Sequence, residues 1–229
     1  MQRLATDHID LYQVHWPERS TNYFGRLNYS HHDDEQFTPV GETLEALSEL
    51  VKSGKVRHIG ISNETAWGAM QYLHCAEMMG LSRIVSIQNP YNLLNRSFEI
   101  GLAEIACREK TGLLAYSPLA FGTLSGKYLD GMRPEGCRLT LFEHYTRYSA
   151  PAAGKATAAY LEVAEKHGLD PSQMALAFIR QQPFVSATII GATTMQQLSD
   201  NIASCEVNLP DECIADIEAV FQRYPNPCP

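Results

Sequence analysis

A parallel α/β fold, an eight-fold (β/α) TIM-type barrel present here only in part, is predicted by three features of the 229-residue sequence. Short apolar runs and helix-period stretches alternate, with no hairpin signal between neighbouring runs, so the strands should lie parallel with helices outside them. The polar residues that interrupt the runs, His15, Ser62, Asn63, Gln88, Tyr116 and Ser117, fall at the carboxyl ends of successive strands, which in a barrel form the ligand face. No Gly-x-Gly-x-x-Gly follows any strand, which counts against a doubly wound sheet, the other fold that the alternation permits. A barrel of this kind needs eight strands. The sequence supplies about five, so three are missing.

The elements follow in order. Ile9 to His15 reads as a strand, with Leu11, Gln13 and His15 on one face and Tyr12 and Val14 on the other, and Trp16-Pro17 ends it. A long polar loop leads to Gly41. Glu42 to Ser53 then repeats Leu44, Leu47, Leu50 and Val51 at helical spacing, and Gly54 stops it. Arg57 to Ile61 is the second strand, and Ser62-Asn63-Glu64 caps a helix over Thr65 to Met79, with Ala66, Met70, Leu73 and Ala76 on its inner side and Gly80 beyond. Ile84 to Gln88 is the third strand, broken by Asn89-Pro90 and followed by a helix over Phe98 to Arg108. Leu113 to Tyr116 is the fourth, and a loop then extends to about Ala150. Lys155 to His167 and Pro171 to Gln182 read as helices, the second with Asp170 as its cap and Pro171 in its first turn. Ala187 to Ile190 is the fifth strand, and helices over Thr194 to Ala203 and Pro210 to Gln222 close the chain.

Composition narrows the function classes. The formal charge of −8, from 26 acidic and 18 basic residues, argues against nucleic acid or an anionic membrane as the main partner. The six cysteines, at 75, 107, 137, 205, 213 and 228, are irregularly spaced without C-x-x-C, so neither a zinc site nor a disulfide framework is expected. The first residues lack the apolar core of a signal peptide, and no apolar run approaches the length of about 18 residues that spans a bilayer, so a soluble cytoplasmic protein is expected.

The richest stretch is Gly112 to Tyr128, where an apolar strand enters a turn of small residues, hydroxyls and one cation. Pro118, Gly122 and Gly126 prevent regular structure and let backbone approach a ligand, while Ser117, Ser125 and Lys127 supply donors. Such a turn suits a phosphate.

Tyr116-Ser-Pro-Leu followed by Gly122-x-Leu-x-Gly-Lys-Tyr128 resembles the cofactor loop of the aldo-keto reductases, nearest the branch that holds the potassium-channel β subunits. The resemblance runs through essentially the whole chain. It implies that Tyr116 stacks on the nicotinamide ring and that Ser117, Pro118, Leu119, Ala120 and Lys127 contact the cofactor. It makes His15 the neutral imidazole that polarises a substrate carbonyl, and gives Ser62, Asn63 and Gln88 to the nicotinamide carboxamide. The segment Ile189 to Asn201 resembles the last cofactor segment, in which Gly191, Thr193, Gln197, Asp200 and Asn201 hold the adenosine half. No Lys or Arg lies between Gly191 and Asn201, but Arg138 matches an arginine that relatives use for the 2′-phosphate. NADP is therefore the expected cofactor, with NAD the alternative.

The implied activity is reduction of aldehydes or ketones. The family's catalytic Asp, Tyr and Lys have no counterpart here: Tyr12 points away from His15, and Tyr116 is committed to stacking. Arg3-Leu4 resembles the end of a helix leading into the family's fourth strand. The expectation is thus a single domain truncated at its amino terminus, without carbonyl reductase activity of its own. A non-catalytic nucleotide-binding regulatory subunit is the alternative, although the channel relatives have Asn where this chain has His15. A truncated product with two uncovered sheet edges, prone to aggregation, is a third reading. The loop Glu18 to Phe37, with Arg19, Tyr23, Phe24 and Tyr29, is expected beside the substrate mouth, and the adjacent His31 and His32 point apart and make no metal site.

Overall fold

Five strands, β1 (Ile9–Val14), β2 (Val56–Ser62), β3 (Ile84–Pro90), β4 (Gly112–Tyr116) and β5 (Val185–Thr188), form one sheet in that order in the computed structural model, which describes residues 2–229. β1 pairs with β2, and β2 with β3, in parallel. Helices α1 (Val40–Lys52), α2 (Ala66–Met79) and α3 (Leu102–Arg108) connect the first four strands. The chain reaches β5 through α4 (Arg138–Leu141), α5 (Pro151–Lys166) and α6 (Pro171–Arg180), and α7 (Met195–Ala203) and α8 (Asp211–Arg223) follow. Two compact units result, one of residues up to Asn89 with Glu99–Leu114, the other of Pro90–Phe98 with Ala115–Pro229.

In the first unit Ile59, Ile61, Ile84 and Ile87 are at most 1% exposed, each such burial contributing roughly 1.5–3 kcal/mol. α1 adds Leu44 and Leu47. The expected inner face of α2 is rotated, because Ala69, Tyr72, Leu73 and Ala76 are buried while Met70 stays exposed. That helix is apolar on most sides, so periodicity alone does not choose the buried one. The β2–β3 register shifts between Ile59, opposite Ile84, and Ile61, opposite Ile87, as one extra residue bulges in β3. Gly60 lies at the shift, where a Cβ would sit 2.5 Å from Ser86 Oγ and 3.1 Å from the Ser86 carbonyl oxygen. The bulge brings Gln88 opposite Ser62.

Several boundaries differ from expectation. β3 continues through Asn89-Pro90, since the Asn89 amide pairs with both the N–H and the C=O of Glu64 at 3.2 and 2.9 Å. The helix expected from Phe98 begins at Leu102, after Gly101 turns at φ 94°. β5 ends at Thr188, leaving Ile189 and Ile190 outside the strand. The long segment after β4 contains 3-10 turns at Ala120–Ser125 and Leu129–Gly131 besides α4, and α5 starts at Pro151, four residues before Lys155.

The second unit packs around α6, whose residues Met174 to Ile179 are all buried. Tyr91 stacks on Phe178 and meets Phe184 edge-on, at centroid distances of 6.3 and 5.3 Å. Arg96 places its guanidinium over Phe178 and Phe221 and pairs with Glu218 at 2.7 Å, so its charge is neutralised where it is buried. Among the described residues no helix is long and apolar enough to cross a membrane.

Candidate cofactor site

The second unit carries a cavity of about 700 Å³ at the end of β4. Immediately after Tyr116 the backbone enters the left-handed region at Ser117 (φ 54°), Ala120 (φ 49°), Phe121 (φ 59°) and Gly122 (φ 91°). Each non-glycine residue there costs about 1–2 kcal/mol, so the surroundings must hold the turn. They do so through Asn92 Nδ2, which donates to the Ser117 carbonyl at 3.0 Å, and through the N–H groups of Ala120 and Gly122, which donate to the carbonyls of Ser117 and Leu119. Gly122 has a second constraint. A Cβ there would lie 2.6 Å from Lys127 Cε and 2.7 Å from Nζ, so the glycine lets the lysine fold back across the turn.

Lys127 and Arg138 both line the cavity, and among the described residues no carboxylate does. On a chain of net charge −8 this is a local inversion of sign. The Arg138 guanidinium sits 4.9 Å over the Phe121 ring and 5.9 Å from that of Tyr145. The third wall is Ile189 to Thr193 with Gln197 and Asn201, around the amino terminus of α7. Thr194 Oγ1 caps that helix by accepting from Gln197 N–H at 3.2 Å, while Gln197 Oε1 accepts from Thr193 N–H at 2.8 Å. Burial pushes the Tyr116 phenol above its usual range, partly opposed by Arg147, which hydrogen-bonds its hydroxyl. Tyr116 is therefore a neutral ring at physiological pH.

Most residues expected to contact a cofactor here do come together: Tyr116, Ser117, Pro118, Leu119, Lys127, Arg138, Gly191, Thr193, Gln197 and Asn201 all line the cavity. Two do not. Ala120 is fully buried behind the turn. Asp200 lies one residue short of Asn201 and hence about 100° around α7, where its carboxylate accepts from Gln196 Nε2 at 2.8 Å. Phe121, Cys137, Ile189 and Ile190 line the cavity without having been expected. β5 ends at Thr188, two residues before the expected Ile190, which leaves the isoleucines in the wall.

The first unit gathers the other expected residues into one hydrogen-bonded cluster. Ser62 Oγ donates to the Gln88 carbonyl at 2.6 Å, Asn63 N–H donates to the same carbonyl at 3.1 Å, and Asn63 Nδ2 donates to the His15 carbonyl at 2.8 Å. Asn63 adopts φ 55°, which fits this reach and removes it from the capping role expected of it. The cap of α2 is Thr65, whose Oγ1 accepts from Gly68 N–H at 3.3 Å. Gln13, not assigned a role from sequence, donates from Nε2 to Gln88 Oε1 at 2.8 Å and has its own Oε1 buried without a partner. Its place on the His15 face of β1 was the available signal. The His15 ring is exposed and packs 4.3 Å from that of Trp16.

Residues 1–222 match a family model described as the aldo/keto reductase family. The chain is 57% identical over 229 residues to Protein tas of Escherichia coli (strain K12), covering all of this chain and 66% of that protein. It is 38% identical over 230 residues to an aldo-keto reductase of Babesia bovis, covering 95% of this chain and 80% of that one. A Schizosaccharomyces pombe protein carrying the name of a voltage-gated potassium channel subunit beta is 30% identical over 233 residues, covering 98% and 62%. The chain thus spans about two thirds of the length of the Escherichia coli relative.

Proposed function

We propose, from the premise that the chain belongs to the aldo/keto reductase family, that the cavity of the second unit binds the phosphates and adenosine of NADP(H), and that the whole protein reduces a small aldehyde or ketone. The observation that carries this is the pair Lys127 and Arg138 on a cavity that, among the described residues, no carboxylate lines. The donor set fits the group. About 700 Å³ is within the range of roughly 300–1,000 Å³ usual for ligand sites. Two cations, the hydroxyls of Ser117, Ser125 and Thr193, and the amino terminus of α7 suit a diphosphate with a further phosphate on the ribose.

When bound, the dinucleotide supplies the hydride, and the protein supplies position and electrostatics. Lys127 folds over Gly122 and neutralises phosphate charge at the turn. Tyr116 offers a neutral ring for stacking, and Arg138 meets the 2′-phosphate. In the first unit, Ser62, Asn63 and Gln88 take the carboxamide role that family membership gives them, and the His15 imidazole donates a hydrogen bond to the carbonyl oxygen, polarising it. None of these residues gives up the proton that the new alcohol needs. On this reading the 229 residues bind nucleotide without turnover.

Calorimetric titration of the 229-residue chain tests the reading. NADPH should bind, and Arg138→Ala should raise its dissociation constant by about tenfold or more, the worth of a charged hydrogen-bonded contact, while NADH changes less than about twofold. Equal weakening of both nucleotides removes the Arg138 assignment. A wild-type chain that binds neither removes the cavity's.

A further inference from the structure

Tyr148 lies outside the cavity but is joined on three sides to the turn that walls it. It is 1% exposed. Its hydroxyl accepts from Asn92 Nδ2 at 3.1 Å, and the same amide nitrogen donates to the Ser117 carbonyl at 3.0 Å. Its carbonyl accepts from Thr123 Oγ1 at 3.2 Å. Its ring meets that of Phe121 edge-on at 4.9 Å and 89°. Phe121 in turn lies under the Arg138 guanidinium at 4.9 Å, and holds a left-handed backbone that needs external support. Arg147, next in the chain, hydrogen-bonds the hydroxyls of both Tyr148 and Tyr116. Asn92, Tyr148, Phe121 and Arg138 are therefore one continuous line of contacts from the strained turn to the cation above it.

We propose that Tyr148 is a positioning residue: its hydrogen bond to Asn92 holds Phe121 and the Arg138 guanidinium in place over the cavity, and so sets the preference for a nucleotide bearing a 2′-phosphate. The role rests on the nucleotide reading of the cavity. It follows from connectivity, because Arg138 sits in a four-residue helix that cannot fix its own side chain, and stacking on Phe121 is useful only while Phe121 is held. An arginine that is already in place loses less entropy on meeting a phosphate than a free one does.

Tyr148→Phe keeps the ring and removes the hydroxyl. In calorimetric titrations it should raise the NADPH dissociation constant by about three- to tenfold as the hydroxyl's bonds to Asn92 and Arg147 are lost, with NADH changed less than about twofold. In an Arg138→Ala background it should add nothing, since the two act through one guanidinium. Asn92→Ala removes the same bond from the other side together with the one to the Ser117 carbonyl, so it should weaken both nucleotides through the turn and still shift the NADPH to NADH ratio in the same direction, which guards against a folding defect peculiar to one variant. Equal loss of both nucleotides, a lowered melting temperature with an unchanged ratio, or full additivity with Arg138→Ala would each overturn the role. If Arg138→Ala shifts the ratio and Tyr148→Phe does not, the cavity reading stands and the positioning role falls. If the wild-type chain binds neither nucleotide, both fall.

Discussion

Arg19 and Glu64 form an ion pair whose side chains are only 11% and 3% exposed. Two guanidinium nitrogens donate to the two carboxylate oxygens at 2.9 and 2.6 Å, one of them also reaches Thr65 Oγ1 at 3.1 Å, and the plane lies 4.7 Å from the Trp67 ring. Gly68 belongs to the same arrangement, because a Cβ there would collide with Glu64 Oε2. The pair ties the long loop after β1 to the start of α2. Charges this far from solvent gain little net energy as a pair, but a lone one is costly. Arg19→Met should therefore destabilise the first unit by about 3 kcal/mol, and adding Glu64→Gln should restore part of the loss. Urea unfolding of the two variants measures this. A cost below about 1 kcal/mol for the single change would place the pair among ordinary surface salt bridges.

At the scale of elements, two helices with the same capping chemistry differ in what they face. Asp170 caps α6 by accepting from Gln173 N–H at 2.9 Å, and Thr194 caps α7 by accepting from Gln197 N–H at 3.2 Å. Replacing either by Ala should cost about 1 kcal/mol of stability. Only α7 begins at the cavity wall, where Thr193 and Gln197 hold its first turn. Thr194→Ala should accordingly weaken NADPH binding several-fold, and Asp170→Ala, of similar stability, should leave it unchanged. Loss of affinity in both would mean that general destabilisation, and not the order of that one terminus, governs binding.

Across the whole chain, two buried acids make stability fall in alkali. Burial pushes the Tyr72 phenol in the first unit up to about 12 and the Cys228 thiol in the second up to about 12. Both are neutral in the folded protein at a pH where the unfolded chain ionises them, near 10 for the phenol and 9 for the thiol. Their contribution is thus complete below about pH 9 and is lost as pH rises toward about 12. Urea midpoints measured at pH 8 and pH 11 should fall with pH, and less steeply for Tyr72→Phe and Cys228→Ala. An equally steep fall in the variants would assign the loss to other groups.

The alternation of strands and helices, the turn after β4, and the polar strand ends at Ser62, Asn63 and Gln88 were legible in sequence, because each is written within a few consecutive residues: a period, a glycine pair, a polar residue ending an apolar run. Arg138 and the α7 segment were legible only through resemblance to a family, since no local pattern links them to the β4 turn. The rest was decided by contacts between residues far apart in the chain. Asn92 meets Tyr148 across 56 positions, and Gln13 meets Gln88 across 75. Which side of α2 is buried, and the bulge that brings Gln88 to Ser62, likewise depend on what packs against them. A side chain's partner at such a separation is chosen by the packing of the folded chain, and nothing in its immediate neighbours records the choice.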